Sequence, residues 1–232
     1  MSALLIRMLS LRREMGIEVQ RFILLWRYQH QVPPFALWWR LVLKRIMDVI
    51  GAVAGIVLTA PLIPIMVLAI KLTSKGPILY SQERVGRFGD TFKIFKFRTM
   101  RVDAEANGPI WSAGRGDSRL TPIGGFLRRT HLDELPQLVN VLAGDMSLVG
   151  PRPERPHFVQ TLHAAIPRYD QRLLLKPGIT GLAQVNYRYD ASVADVRRKL
   201  RYDLLYVKRM CLTLDVKILA WTFLVVATGR AR

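Results

Sequence analysis

Only one cysteine, Cys211, occurs in 232 residues, so an internal disulfide framework and any cysteine-rich zinc site are excluded. Lying in an apolar run, it reads as a packed thiol. Histidine is equally sparse: His30, His131, His157 and His163 show no metal-ligand spacing and read as surface or packing residues. There is no internal repeat, no low-complexity tract and no Walker pattern. Acidic residues are few: 17 Asp and Glu face 35 Lys and Arg, for a net charge of +18. With half the chain hydrophobic and a mean hydropathy of +0.17, disorder is excluded. So apolar and basic a chain seeks something negative: nucleic acid, an anionic bilayer or phosphorylated substrates.

What is present is organised by hydrophobicity. Residues 1–43 mix Leu, Ile, Phe and Trp with six Arg, a pattern suited to a helix at a membrane surface, broken at Pro33-Pro34. An amphipathic helix docked on the rest of the chain fits as well. Interleaved charges and the lack of an apolar core with a cleavage site argue against a secretory signal. From Val49 to Ile70, 22 residues carry no charge, about 33 Å of helix and enough to cross a bilayer. Pro61 and Pro64 interrupt that run, each removing a backbone donor. Lys44-Arg45 and Lys71 with Lys75 flank it on both sides, which gives no inside–outside asymmetry. A broken helix that enters one leaflet and returns fits best. A Pro-kinked span and a soluble core helix are the alternatives. On this reading Lys44-Arg45 and Lys71 face headgroups, and Asp48 sits at headgroup depth paired with Arg45.

Beyond the Lys75-Gly76-Pro77 turn the chain is mixed. Strands are expected at Ile78–Ser81 and Phe92–Phe97, and a mobile loop over 103–120. Helices are expected from Gln137 to Leu142 with a stop at Gly144, over 155–165 and over 192–209. A Gly/Pro loop is expected at 176–181, and an apolar interfacial or docking helix from Leu212 to Thr228. The fold class is α+β and mostly helical. Its divisions are an N-terminal amphipathic region (1–43), a re-entrant membrane helix (44–76), a mixed domain (77–211), which the motifs below make the catalytic one, and a C-terminal interfacial helix (212–232).

Chemistry concentrates in three stretches. In Arg128-Arg129-Thr130-His131-Leu132-Asp133-Glu134-Leu135-Pro136-Gln137, two adjacent carboxylates open a helix just after a basic pair. An ionised Asp there can attack phosphorus while a neighbouring Glu holds a metal or moves a proton. The competing reading is a capping box, Thr130-x-x-Asp133. In Gly144 to Pro153, Arg152 is held between two prolines, pre-oriented for bidentate phosphate recognition or simply part of an extended loop. Lys176 to Gly181 is a second small-residue loop where a backbone approaches a ligand closely.

Taken together, Lys96 to Met100, Leu132 to Val141, Gly144 to Pro153 and Lys176 to Val185 resemble the bacterial sugar transferases. More narrowly, they are similar to the monotopic polyprenyl-phosphate phosphoglycosyl transferases of the exopolysaccharide branch. The likeness covers residues 40–230 and leaves 1–43 outside. It implies transfer of a sugar-1-phosphate from a UDP-sugar to polyprenyl phosphate, with release of UMP, through an aspartyl phosphosugar intermediate and with Mg²⁺. By position, Asp133 is the nucleophile and Glu134 its partner, the two also holding metal; Arg128 and Arg152 neutralise diphosphate oxygens. Lys96, Arg98, Arg188 and Asp203 line the site. The resemblance further implies a bacterial inner membrane location with the catalytic domain in the cytoplasm, contact with membrane lipids and no nucleic acid; homo-oligomerisation is left open. The chain departs from the family pattern at Ala60-Pro61, where Ser-Pro is common and where Thr59 is the candidate substitute for the serine's backbone bond. It departs again at Leu182 and Tyr187. The rival from another class is a basic membrane-attached binding or scaffold protein, for which no nucleic-acid fold signature speaks.

Overall fold

The computed structural model describes residues 3–29, 31–105, 117–187 and 193–228. Two long helices come first, α1 (Ala3–Tyr28) and α2 (Pro34–Thr59), separated at the expected Pro33-Pro34 break. Pro34 opens α2 because its missing N–H would have no partner in a first turn anyway. The boundary expected at 43/44 falls inside this continuous helix. At Ala60-Pro61 it bends by 64° into α3 (Leu62–Thr73). Neither Pro61 nor Pro64 donates a backbone hydrogen bond, and Thr59 turns its hydroxyl back to the Gly55 carbonyl at 2.6 Å.

A β-hairpin follows, β1 (Leu79–Val85) against β2 (Thr91–Phe97), antiparallel with Leu79 opposite Phe97. Short helices α4 (Gly124–Arg129) and α5 (Gln137–Ala143) lead to β3 (Ser147–Val149). Gly144 closes α5 with φ 95, a left-handed conformation that glycine adopts without a side-chain clash. Then come α6 (Pro156–Ala165), β4 (Gly178–Thr180), α7 (Leu182–Asn186), α8 (Val193–Arg209) and α9 (Leu212–Ala227). Among the described residues the architecture is mostly helical with two two-stranded sheets, an α+β arrangement.

Residues 176–181 are not the loop expected. Strand β4 pairs in parallel with β3, Ser147 opposite Gly178 and Val149 opposite Thr180. The glycines make this close crossing possible. A Cβ on Gly178 would collide with the Gly150 nitrogen, and one on Gly181 would collide with the Gly150 carbonyl oxygen. Of the loop expected over 103–120, residues 106–116 lie outside the described residues.

The polar residues at the start of the apolar segment turn inward. Lys44 is buried, its ammonium donating to Asp215 (2.9 Å), the Tyr206 hydroxyl (3.0 Å) and the Val149 carbonyl (2.8 Å). Arg45 does not pair with Asp48; it caps the C-terminus of α5 through the Val141 and Leu142 carbonyls. Asp48 accepts from the Ser147 hydroxyl and the Leu148 N–H. The headgroup roles expected for Lys44, Arg45 and Asp48 are therefore corrected. This part of α2 packs against α5, β3 and α9, and those residues face protein. Lys71 remains exposed near the Gly76 carbonyl.

The N-terminal helix docks on the same chain. Leu25 joins Leu37, Tyr206, Val207, Met210 and Ile218 in one core cluster. Arg21 reaches Asp90 at the hairpin tip at 2.7 Å and stacks over Phe88.

Candidate active site

Asp133 and Glu134 sit on a 3-10 turn, Leu132–Glu134, that His131 enters in a left-handed conformation (φ 57). The capping box does not form: the Thr130 hydroxyl donates back to the Phe126 and Leu127 carbonyls. Leu132 and Leu135 on either side pack onto a cluster with Met66 and Ile70 of α3 and Phe97 of β2. Apolar burial by its neighbours thus fixes the dyad to the second arm of the bent helix pair. Asp133 is 5% and Glu134 9% exposed.

The two carboxylates have opposite surroundings. Glu134 Oε1 accepts from Lys96 Nζ at 2.6 Å and from an Arg152 N–H at 3.1 Å. Burial by itself would raise Glu134, but Lys96 and Arg152 outweigh it and hold the group well below the usual carboxylate range. Asp133 takes no hydrogen bond or ion pair among the described residues. Burial raises its pKa, opposed by Lys96 and reinforced by the charge of Glu134, with Arg128 lowering it again. Adjacent residues are thus driven apart: one is a fixed anion, the other a more basic carboxylate without a partner.

The cations are held from behind. Lys96 comes from β2, and burial lowers it against the pull of Glu134. Arg128 donates through Nε to the Thr99 hydroxyl at 3.0 Å. Arg152 follows β3 in Pro151-Arg152-Pro153, and its backbone carbonyl accepts from Arg172 at 2.8 Å. Asp203 accepts from Arg172 Nε at 2.9 Å and lines a narrow cleft with Arg152, Glu154, Gln184 and Lys199. Arg98 is buried and turned to Ser74, its guanidinium donating to that residue's carbonyl and hydroxyl, so it fastens the end of α3. Arg188 lies outside the described residues.

Thr99 and Arg172 were not singled out by sequence. Thr99 lay within the Lys96–Met100 motif, whereas Arg172 carries no local signal. Leu182 is a core residue, and Tyr187 donates its hydroxyl to Asp195.

Among the described residues no three His, Cys, Asp or Glu gather into a metal cage. Mg²⁺ does not require one: one or two carboxylates and substrate phosphates suffice. The unpartnered Asp133 carboxylate and Glu134 Oε2, the oxygen left by Lys96 and Arg152, fit that donor set. The arrangement can receive a diphosphate among Lys96, Arg128 and Arg152, and present a carboxylate to it.

The model of the bacterial sugar transferase family matches residues 39–229. The UDP-N-acetylgalactosamine-undecaprenyl-phosphate N-acetylgalactosaminephosphotransferase of Aeromonas hydrophila is 44% identical over 187 residues, covering 81% of this chain and 44% of its own length. A UDP-glucose:undecaprenyl-phosphate glucose-1-phosphate transferase of Escherichia coli K12 is 40% identical over 182 residues, 78% of this chain and 39% of its own length. The exopolysaccharide production protein PSS of Rhizobium leguminosarum bv. phaseoli is 38% identical over 190 residues, 78% of this chain and 94% of its own length. The chain thus spans less than half of the first two relatives and nearly all of the third.

Proposed function

The chain belongs to the bacterial sugar transferase family, and we propose that it moves a sugar-1-phosphate from a UDP-sugar to undecaprenyl phosphate in the membrane. The observation that carries this reading is the buried pair of Asp133 and Glu134, one without a partner and one clamped by Lys96 and Arg152.

The chemistry follows from that asymmetry. An Asp133 oxygen attacks the phosphorus that bears the sugar. One P–O bond forms, the diphosphate P–O bond breaks, and UMP leaves with the electron pair. An oxygen of the lipid phosphate then attacks the same phosphorus, expelling the Asp133 carboxylate and forming a polyprenyl diphosphate-sugar. Burial supports the first step by making Asp133 more basic, hence a better nucleophile. Lys96, Arg128 and Arg152 lie where negative charge accumulates on the phosphoryl oxygens, the largest contribution that fixed groups make in such transfers. Glu134 orients Lys96 and Arg152, and with Asp133 it would hold Mg²⁺. The bound ion supplies further neutralisation of the diphosphate.

A lipid phosphate stays at the headgroup plane, so the dyad must come to that depth. We infer that α2 and α3 form a re-entrant hairpin, with α9 lying at the interface and the catalytic part facing the cytoplasm of the inner membrane. No single described helix is long and apolar enough to cross; the bent pair passes only when taken together. Ile50, Val57, Leu58, Ile65, Leu68 and Leu72 are exposed along it. The packing of Leu132 and Leu135 on α3 couples the dyad to the hairpin.

The test is UMP release from UDP-N-acetylgalactosamine and UDP-glucose, with and without undecaprenyl phosphate. Multiple turnover that needs the acceptor, with no more than about one UMP per chain released in its absence, and loss of both in Asp133→Asn support the reading. Acceptor-dependent turnover that survives Asp133→Asn overturns the covalent route.

A further inference from the structure

Where α1 turns into α2 and meets the end of α8, the chain forms an open cavity of about 300 Å³. It is lined by Tyr28, Gln29, Gln31, Val32, Arg40, Lys208 and Arg209, three cations and no acid. Their convergence on one wall sets them apart, because with 35 Lys and Arg against 17 Asp and Glu many cations of this chain lack a carboxylate. Lys44, Lys96, Arg84, Arg119, Arg155 and Arg172 all have carboxylate partners within 4 Å. Among the described residues, Arg40, Lys208 and Arg209 have none.

Their convergence is not explained by the helix end they surround. Cations in a last turn face a partial negative charge. Here the Gln29 side-chain amide donates to the Val207 carbonyl, and Arg40 donates one N–H to the Met210 carbonyl at 3.3 Å. These bonds occupy two of the carbonyls at that corner. The remaining guanidinium donors of Arg40, the Lys208 ammonium and the Arg209 guanidinium stay available around the cavity. The Tyr28 hydroxyl on the same wall is a further donor. Several charged donors around a concave, acid-free wall match the oxygens of one phosphate group.

Position indicates where that phosphate comes from. Phe35, Trp38 and Trp39 stand exposed within the turns of α2 just before Arg40, with Trp38 and Trp39 in edge contact at 4.8 Å. Exposed Trp beside cations marks the headgroup level of a bilayer. We propose that this cavity binds the phosphodiester headgroup of an anionic membrane phospholipid. It would do so at a site separate from the donor and acceptor phosphates, and one that exists only because α1 docks on α8. The proposal rests on the membrane reading above; headgroup selectivity is its own distinct consequence.

The test uses the full chain in detergent and native mass spectrometry at fixed ionic strength, with phosphatidylglycerol or phosphatidylcholine added. The wild type should retain one phosphatidylglycerol with about tenfold preference. Arg40→Gln/Lys208→Gln/Arg209→Gln should abolish that preference. The double variant Lys208→Gln/Arg209→Gln, which keeps the bond from Arg40 to Met210, should reduce it. Lys93→Gln/Arg201→Gln/Lys217→Gln removes the same charge from exposed positions elsewhere and should leave it intact. Equal loss in the two triple variants, or full retention in the first, overturns the proposal. So does displacement of the lipid by millimolar inorganic phosphate, which would make this a site for soluble phosphate. Flotation on pure phosphatidylcholine vesicles reports the membrane reading separately: both triple variants should float, and failure to float counts against the hairpin rather than the cavity.

Discussion

Adjacent carboxylates in one turn should move stability in opposite directions when neutralised. Glu134 lies below the usual range, so its anion stabilises the fold above the unfolded carboxylate pKa, and this is lost only as pH falls through its own low value. Glu134→Gln strands Lys96 and Arg152. Breaking a buried pair from one side costs about 3–5 kcal/mol. The Arg152 side chain is 40% exposed and can turn to water, so the lower end applies, about 3 kcal/mol. For a chain of this size that is a fall of about 6–12 °C in Tm. Asp133 is displaced the other way. Its neutral form is favoured by the fold, so ionised Asp133 is a burden at pH 7, and the burden disappears once the group is protonated in both states. Asp133→Asn removes it, for a gain of about 0.5–2 kcal/mol, a few degrees in Tm. Thermal melts in one detergent at pH 7.5 and pH 5 read both effects. The gain in Asp133→Asn should shrink as the pH is lowered towards the unfolded carboxylate range, while the loss in Glu134→Gln should persist. A destabilised Asp133→Asn protein would refute the reasoning, because it would mean that Asp133 is held by a stabilising partner.

Lys96→Met removes the strongest charge that lowers Asp133, so the acid limb of the pH–rate profile should move to higher pH. Turnover should fall about 10²–10³-fold, as for loss of one transition-state donor; an unmoved acid limb would separate Lys96 from Asp133. Lys44→Met leaves Asp215 and the Val149 carbonyl without their buried ammonium, with an expected loss of about 3–5 kcal/mol in chemical or thermal unfolding. On a Cys211→Ser background, Met15→Cys before the bent pair and Ala164→Cys after it should react with an impermeant thiol reagent from the same side of a vesicle. Labelling from opposite sides would make the segment a span.

Elements written into local sequence were legible. Pro136 and Gly144 bracket α5, Pro156 opens α6, Pro33-Pro34 separates the first helices, and alternation in Thr91–Phe97 marks β2. The dyad and the three cations, Lys96, Arg128 and Arg152, were named from ordered motifs and the basic pair before the dyad. What could not be read depends on contacts far along the chain. Strands β3 and β4 have three residues each, and their pairing comes from glycines that let two backbones touch. Lys44 and Asp48 read as headgroup residues because only the packing of α2 on β3 and α9 turns them inward. Arg98 shares the motif of Lys96, yet it points to Ser74 and fastens α3 instead of facing the dyad. Charge that reads as a surface property in sequence is, at Lys44 and Arg172, an internal clamp.

The central claim is that Asp133 carries the phosphosugar. Incubating the purified chain with UDP-N-acetylgalactosamine or UDP-glucose, without acceptor, and weighing the intact protein tests it directly. A mass increase equal to one sugar phosphate is predicted, mapped to Asp133, absent in Asp133→Asn and discharged by undecaprenyl phosphate. Acceptor-dependent turnover with no adduct at any time point, or an adduct that persists in Asp133→Asn, would contradict it.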